Sequence, residues 1–374
     1  MTEINPHPDV SRYPKSKNRS LKAWNAADEY LLKYLSQLDV AAPSVAIYND
    51  RFGFLSCALH NTGPVNVVDY KSSEKAINRN LKNNGLDVNR SLFLSSLSPL
   101  PRPIDIGIIK IPKSLDLFHF YLDKLTEGLA ENGIAICGFM TRHFSKQIPV
   151  VGGEFFEEVN QSLAWKKSRL LILKKKKPLQ KSSAVRFFTH TFTTGLTEEV
   201  RQYPGVFSAG KVDYATQFLL EHTEVNDHDM KILDLASGNG VIARDIQLRK
   251  PDAEIHLLDD YYLAIESSRL NLDKDRIHFH FNDSPGRIVP KASLGENHFF
   301  DLVISNPPFH FGHENNIEIT IRLFEQVKKV MKEGGRFLCV ANKHLNYKTH
   351  LRKLFRETKT VAENDKYVIY QTKK

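Results

Sequence analysis

The chain has 374 residues, 41% hydrophobic and 25% charged, a length that points to two domains and a composition that excludes a largely disordered, collagen-like or coiled-coil protein. Its net charge of +9 is uneven: residues 1–180 carry 25 Lys+Arg against 17 Asp+Glu and residues 181–374 carry 27 against 26, so a polyanion partner is expected to meet the first half. No run of about 18 uncharged apolar residues offers a membrane span, the start Met1-Thr2-Glu3-Ile4-Asn5-Pro6 lacks a signal-peptide pattern, and the scattered Cys57, Cys137 and Cys339 suit a reduced, cytoplasmic protein.

In the first half, apolar spacing predicts a helix over 24–38 and a strand over 44–48. The turn Asn49-Asp50-Arg51-Phe52-Gly53 follows. A strand over 65–68 ends at Asp69, a helix covers 74–83, and a strand over 104–109 ends at Lys110-Ile111-Pro112-Lys113. Asn132-Gly133 precedes a strand over 134–137. The basic, proline-broken run from Lys174 to Ser183 reads as a linker, so domains are expected at 1–180 and 185–374.

Past the linker, 213–220 reads as an amphipathic helix. A short strand over 231–235 runs into Ala236-Ser237-Gly238-Asn239-Gly240 and a helix over 241–249. A strand over 254–258 ends at Asp259-Asp260, and a helix covers 264–272. A strand over 277–281 ends at Asn282-Asp283, and one over 300–305 ends at Asn306-Pro307-Pro308-Phe309. A helix over 317–331, the turn Gly334-Gly335 and a strand over 336–340 follow. Alternating strands and helices imply a parallel sheet covered on both faces. Both halves show the same order, with Asp69 to Pro112 spanning 43 residues and Asp259 to Pro307 spanning 48. An internal duplication in which only the second copy kept a working site is expected.

In an open parallel sheet, ligands bind beyond the carboxyl ends of the strands, where all these unusual residues fall. Glycines allow a tight strand-to-helix turn, and the next helix offers free N–H groups. Asp259, at the following strand end, can accept both hydroxyls of a ribose. The loop is not G-x-G-x-x-G and lacks a Walker lysine, so a ribose ligand without pyrophosphate is expected. S-adenosylmethionine fits that description. The Asn306 amide oxygen and the Pro307 carbonyl can accept the two N–H groups of a nucleobase amine, and Phe309 offers a stacking face. Such a site catalyses by positioning and fixed dipoles rather than by a strong base. Lys166, Lys167 and Arg169 with Trp165 make a basic cluster around an aromatic, and Lys110 and Lys113 stand where the other copy has its proline motif. These are candidate RNA contacts, with a solvated surface or simple decay as the plain alternatives. No His or Cys set has metal spacing along the chain, so no metal is expected.

Asp234-Leu235-Ala236-Ser237-Gly238-Asn239-Gly240 and Asn306-Pro307-Pro308-Phe309 look like motifs I and IV of class I S-adenosylmethionine-dependent amino-methyltransferases. Together with Pro204-Gly205-Val206-Phe207-Ser208, Ser267-Ser268-Arg269-Leu270-Asn271 and Val340-Ala341-Asn342-Lys343-His344-Leu345, they resemble the RsmC/RlmG family of ribosomal RNA guanine-N2 methyltransferases. The stretches 21–32 and 163–170 are similar to its RlmG branch, which modifies a guanine in large-subunit (23S) RNA. The resemblance implies an α/β chain of two tandem Rossmann-like class I methyltransferase domains, the N-terminal copy degenerate. It implies S-adenosylmethionine held by Phe207, Asp234, Ala236, Ser237, Gly238, Asn239, Gly240, Asp259, Asp260, Asn282, Asp283 and Asn306. It implies a catalytic set of Asn306, Pro307, Pro308 and Phe309, with ribosomal RNA as partner. The family loop reads Asp-Leu-Gly-Cys-Gly-Asn-Gly, so Ala236 and Ser237 are departures. A left-handed backbone at 236 would lower cofactor affinity, whereas φ below zero would leave the fit intact. Rival readings are methylation of small-subunit (16S) RNA as in RsmC, a protein-glutamine or DNA-adenine methyltransferase, and a non-catalytic RNA-binding assembly factor. A glutamine enzyme has no need of a basic second domain, a DNA enzyme usually has Tyr at the Phe309 position, and the intact Asn306 motif argues against a non-catalytic protein.

Overall fold

A computed structural model describes residues 4–16, 18, 20–40, 42–178, 183–208, 210–289, 299–307, 310–311, 314–315 and 317–374, the stretch 310–318 by backbone alone. The chain divides into two compact units, Met1–Ser183 and Ala184–Lys374.

The first unit is built on strands β1 (Val45–Tyr48), β2 (Val65–Val67), β3 (Leu92–Leu94), β4 (Ile104–Lys110), β5 (Leu129–Met140), β6 (Phe156–Gln161) and β7 (Ser168–Lys176). They form one sheet in the order β3-β2-β1-β4-β5-β7-β6. The first five run parallel, and β7 and β6 are added antiparallel. The helices are α1 (Ala26–Leu35), α2 (Phe54–Ala58), α3 (Lys71–Asn83), α4 (Leu115–Gly128) and α5 (Gln147–Phe155). Helix α1 starts at Asn25 in a reciprocal capping box with Asp28. Its buried Leu31 and Leu32 join Val45, Ile47 and Ile108 in the core. The expected linker begins later than the lysine run suggests. Lys174, Lys175 and Lys176 belong to β7, whose backbone pairs with β6, and Lys175 meets Glu158 at 2.6 Å.

The second unit opens with a hairpin, β8 (Arg186–Thr191) and β9 (Thr197–Gln202), followed by helix α6 (Tyr214–Glu221). Its sheet contains β10 (Lys231–Leu235), β11 (Glu254–Asp259), β12 (Ile277–Phe281) and β13 (Phe300–Ser305). A two-residue ladder joins β14 (His310–Phe311) to β15 (Glu314–Asn315), and the sheet resumes with β16 (Met331–Asn342), β17 (Glu357–Glu363) and β18 (Tyr367–Lys373). Helices α7 (Val241–Arg249), α8 (Tyr262–Arg269), α9 (Ile317–Val330) and α10 (Tyr347–Leu354) complete the unit. The sheet order, β12-β11-β10-β13-β16-β18-β17, repeats that of the first unit position for position. Alternate residues of β10 feed opposite faces: Ile232 packs with Ile255 and Ile304, Leu233 with Val303 and Phe324. A strand buried on both faces in this way has to be apolar throughout, as the sequence of β10 is apart from Lys231 at its start and Asp234 near its end.

The duplication reaches the backbone of the site loop. After β1, Asn49 has φ 63° and Gly53, capping α2, has φ 84°. After β10, Ala236 has φ 60° and Gly240, capping α7, has φ 81°. Tyr48 and Leu235 are thus equivalent, and their strand partners correct two matches expected from the sequence. Tyr48 pairs with Val67 and Leu235 with Leu258, so Asp69 corresponds to Asp260 and Val68 to Asp259. Tyr48 also pairs with Ile109 and Leu235 with Ser305, so Lys110 stands at the position of Asn306 and Pro112 at that of Pro308.

Candidate active site

The loop after β10 carries the site. Asp234, fully buried at the end of β10, accepts the Ala243 N–H at 3.1 Å through Oδ2. Its Oδ1 is buried without a hydrogen-bond partner among the described residues. Burial pushes its pKa up to about 8, with the Asp259 charge adding to the rise. The Ser237 hydroxyl is likewise buried and unpartnered. Gly238 opens onto space, since a Cβ there would meet nothing within 4 Å. Gly240 lies against α8 and the turn after it, where a Cβ would meet Ser268 at 3.1 Å and Leu272 at 2.9 Å. Ala236 occupies the left-handed region, where a side chain costs about 1–2 kcal/mol.

Asp259, half-buried at the end of β11, ties this loop down. Its Oδ2 accepts the Gly238 N–H at 3.0 Å and its Oδ1 the Tyr261 N–H at 2.8 Å. Burial, partly offset by those two hydrogen bonds, raises its pKa to about 6. Asp260 and the pair Asn282-Asp283 are half-buried at neighbouring strand ends, and Asn282 donates its N–H to the Asp259 carbonyl at 3.1 Å. Asn239 is committed elsewhere: its Nδ2 donates to Gln202 Oε1 at 2.8 Å, so its side chain shapes the loop instead of facing a ligand. Gln202 in turn donates to the Val206 carbonyl at 3.4 Å, holding the segment that presents Phe207, which is 64% exposed. The Ser-Ser-Arg-Leu-Asn segment is scaffolding as well. Ser268 Oγ donates to the Gly238 carbonyl at 3.0 Å, and Asn271 Nδ2 donates to the Asn239 carbonyl at 2.9 Å.

Asn306 follows β13, beside the end of β10. Its Nδ2 donates to Asp213 Oδ2 at 3.2 Å and to Thr216 Oγ1 at 2.9 Å. Asp213 also caps α6, accepting the N–H groups of Ala215 and Thr216. An ionised carboxylate only accepts, so this contact fixes the amide orientation and leaves Oδ1 as the open acceptor. That atom is buried and has no hydrogen-bond partner among the described residues. Pro307 is buried beside it, and Pro308 and Phe309 lie outside the described residues. Asp213 and Thr216 were not singled out by the sequence, because their link to Asn306 spans 93 and 90 residues.

The first unit has lost this arrangement. Lys110, at the Asn306 position, pairs at 2.7 Å with Asp28, which occupies the Thr216 position on α1. Burial opposes the charge on Lys110, but Asp28 and Asp50 more than offset it and hold its pKa above the ordinary lysine value. A buried, paired ammonium does not reach a phosphate, so Lys110 is removed from the RNA candidates. Asp69 is consumed as well, accepting from Ser96 and from the Tyr121 hydroxyl at 3.1 Å. Lys113 and Lys167 are exposed, and Arg169 is half-buried on β7. Trp165 lies 5.4 Å from Tyr30, with the ammonium groups of Lys166 and Lys33 over its ring at 4.5 and 5.2 Å. Lys166 also pairs with Glu29 at 2.9 Å.

Residues 3–178 match the RLMG N-terminal domain and residues 197–371 the Methyltransferase small domain. A Ribosomal RNA large subunit methyltransferase G from Klebsiella pneumoniae is 32% identical, over 96% of this chain and 94% of its own length. One from Shewanella denitrificans is also 32% identical, over 98% and 97%. This chain belongs to the ribosomal RNA large subunit methyltransferase G family. Among solved structures, the T. thermophilus 16S rRNA N2 methyltransferase RsmC, in complex with AdoMet and guanosine, is similar with a TM-score of 0.78 at 19% identity, covering 99% of this chain and 97% of that one. That likeness is one of fold: this chain and RsmC share the two-unit α/β architecture described above. Among the described residues, no helix is long and apolar enough to cross a membrane.

Proposed function

We propose that this chain transfers the methyl group of S-adenosylmethionine to the exocyclic N2 amine of a guanine in large-subunit (23S) ribosomal RNA, in the cytoplasm. The observation that carries the reading is Asn306, whose amide is locked by Asp213 and Thr216 so that one buried acceptor, Oδ1, stays open at the carboxyl edge of the sheet. Asp234 Oδ1 and Ser237 Oγ are the matching unpartnered atoms on the adjoining loop, so the residues present fit a polar, cationic cofactor. Asp259 and Asp260 would take the ribose hydroxyls, Asn282 and Asp283 the adenine amino group, and the Gly238–Gly240 turn with Phe207 the remaining surface. The cofactor supplies an electrophilic methyl group when bound.

The chain's own task is positioning. Asn306 Oδ1 accepts one N–H of the guanine amine and the Pro307 carbonyl the other, turning the nitrogen lone pair out of conjugation and toward the methyl group. Pro308 and Phe309 would wall the base. On taking up the methyl group, the amine would give up one proton to water. The base must leave its stack to reach this pocket, which costs a few kcal/mol. The basic first unit would offset that cost by gripping the RNA through Lys113, Trp165, Lys166, Lys167 and Arg169.

The test supplies the purified chain with methyl-labelled cofactor and separated 23S and 16S RNA from cells lacking the enzyme. The expected result is labelled N2-methylguanosine in 23S RNA and none with Asn306→Ala. Label in 16S RNA alone, or in another nucleoside, contradicts the proposal.

A further inference from the structure

A second group of side chains converges at the opposite ends of the strands that carry the cofactor edge. Among the described residues, Glu254, His256 and His278 bring one ligand-type atom each within 4.8 Å of one another. Glu254 and His256 are two apart on β11 and share a face, and His256 pairs in register with His278 on β12. Glu254 Oε1 lies 2.9 Å from His256 Nε2 and 3.2 Å from His278 Nε2. Tetrahedral zinc, with bonds of about 2.0–2.1 Å, holds neighbouring ligand atoms about 3.3 Å apart. The observed spacings are close to that edge length.

We propose that Glu254, His256 and His278 form a zinc site that clips the edge strand β12 to β11, with water as the fourth ligand. The expectation of no metal rested on spacing along the chain, whereas this set is assembled across two strands. Its stabilising role is separate from methyl transfer.

The surroundings match what a ligating histidine requires. His280 Nε2 lies 2.9 Å from His256 Nδ1. Facing an acceptor-only carboxylate, the free His256 carries its proton on Nε2. Shifting that proton to Nδ1, with His280 moving its own proton to Nδ1 so that its Nε2 accepts, frees His256 Nε2 for the metal and orients the ring. Phe299 and Phe300 enclose His256 at 5.3 and 5.2 Å. The His278 side chain is 47% exposed and gives an ion its entry. Lys231 lies 3.7 Å from Glu254 Oε2 and leaves Oε1 to the site.

The test strips the untagged full chain with a chelator and titrates Zn2+ by calorimetry, with thermal melting in parallel. One zinc per chain and a raised melting temperature are expected, and Co2+ in its place should show the intense visible bands of tetrahedral coordination. His278→Ala, at a half-exposed position, and Glu254→Gln, which preserves shape, should each weaken zinc binding by more than the roughly 10- to 100-fold typical of an outer-shell loss. Both variants must keep the wild-type circular dichroism, and His278→Asn serves as the replacement if the alanine variant does not. Weak, non-saturable binding, an octahedral cobalt spectrum, or unchanged affinity in either variant overturns the proposal.

Discussion

Ala236 carries a side chain at φ 60°, where Asn49 occupies the equivalent place in the first unit. Asn tolerates that region better than Ala does. Relief of about 1–2 kcal/mol, less the roughly 0.4–1 kcal/mol by which glycine loosens the unfolded chain, gives Ala236→Gly a net gain of about 1 kcal/mol. Urea unfolding should show it, together with tighter cofactor binding; a destabilised variant would contradict the strain. Asp234 gives a pH signature. Its pKa of about 8 lies above the ordinary 3.8, so the native protein holds a proton that the unfolded chain releases. The stability this contributes is complete below about pH 4 and is lost as pH rises through 8. A cationic ligand beside the carboxyl favours the carboxylate, so cofactor binding at pH 7 should release up to about one proton. Calorimetry in buffers of different ionisation enthalpy measures this release, which should vanish in Asp234→Asn. Asn306→Ala should abolish transfer while leaving cofactor affinity nearly unchanged. Thr216→Val removes one of the two bonds that aim Asn306 and should lower kcat roughly tenfold. A Thr216→Val variant with wild-type turnover would mean that Asp213 alone suffices.

At the scale of elements, one turn geometry serves two purposes. In the second unit it leaves acceptors open; in the first, Asp50 closes it by accepting from Gly53 and Ser56, and Lys110 fills the motif position against Asp28. Removing one partner of such a pair strands the other, so Lys110→Met should destabilise the first unit by roughly 3 kcal/mol. Asp28→Leu added to it should recover much of that loss, and thermal melting of the single and double variants decides the matter. The inner parallel strands and α7 were legible in the sequence because they are buried on both faces or keep a clean helical period. The antiparallel outer strands and the short parallel edge strand β3, exposed or half-buried throughout, were not. β6 and β17 are polar edge strands, and β17 alternates exposed and half-buried residues, so neither has an apolar run to betray it. Lys174–Lys176 read as a linker because strand pairing and Glu158 stabilise them in ways no local pattern shows. At the site, the residue types at the strand ends were legible, but Asp213, Thr216 and Gln202 act through contacts made only by the fold. Lys110 misled for the same reason: its partner lies on α1.

Across the whole molecule, charge and chemistry are separated. Residues 1–180 carry 25 basic against 17 acidic side chains, while the Asn306 site lies in a nearly neutral half. If the first unit grips RNA, its binding should fall steeply with salt, with a log–log slope near −0.7 per single-strand phosphate contact. Lys167→Glu should weaken binding and flatten that slope by about one contact, as filter binding across a salt series can measure. Equal, salt-insensitive binding by wild type and variant would leave the first unit without an RNA role. The central claim, that this chain methylates a guanine N2 in large-subunit RNA, is tested most directly in cells. Mass spectrometry of 23S RNA from a strain lacking the enzyme should show one N2-methylguanosine missing. The wild-type gene should restore it, and Asn306→Ala should not. An unchanged 23S RNA, or a loss confined to 16S RNA, would contradict the account.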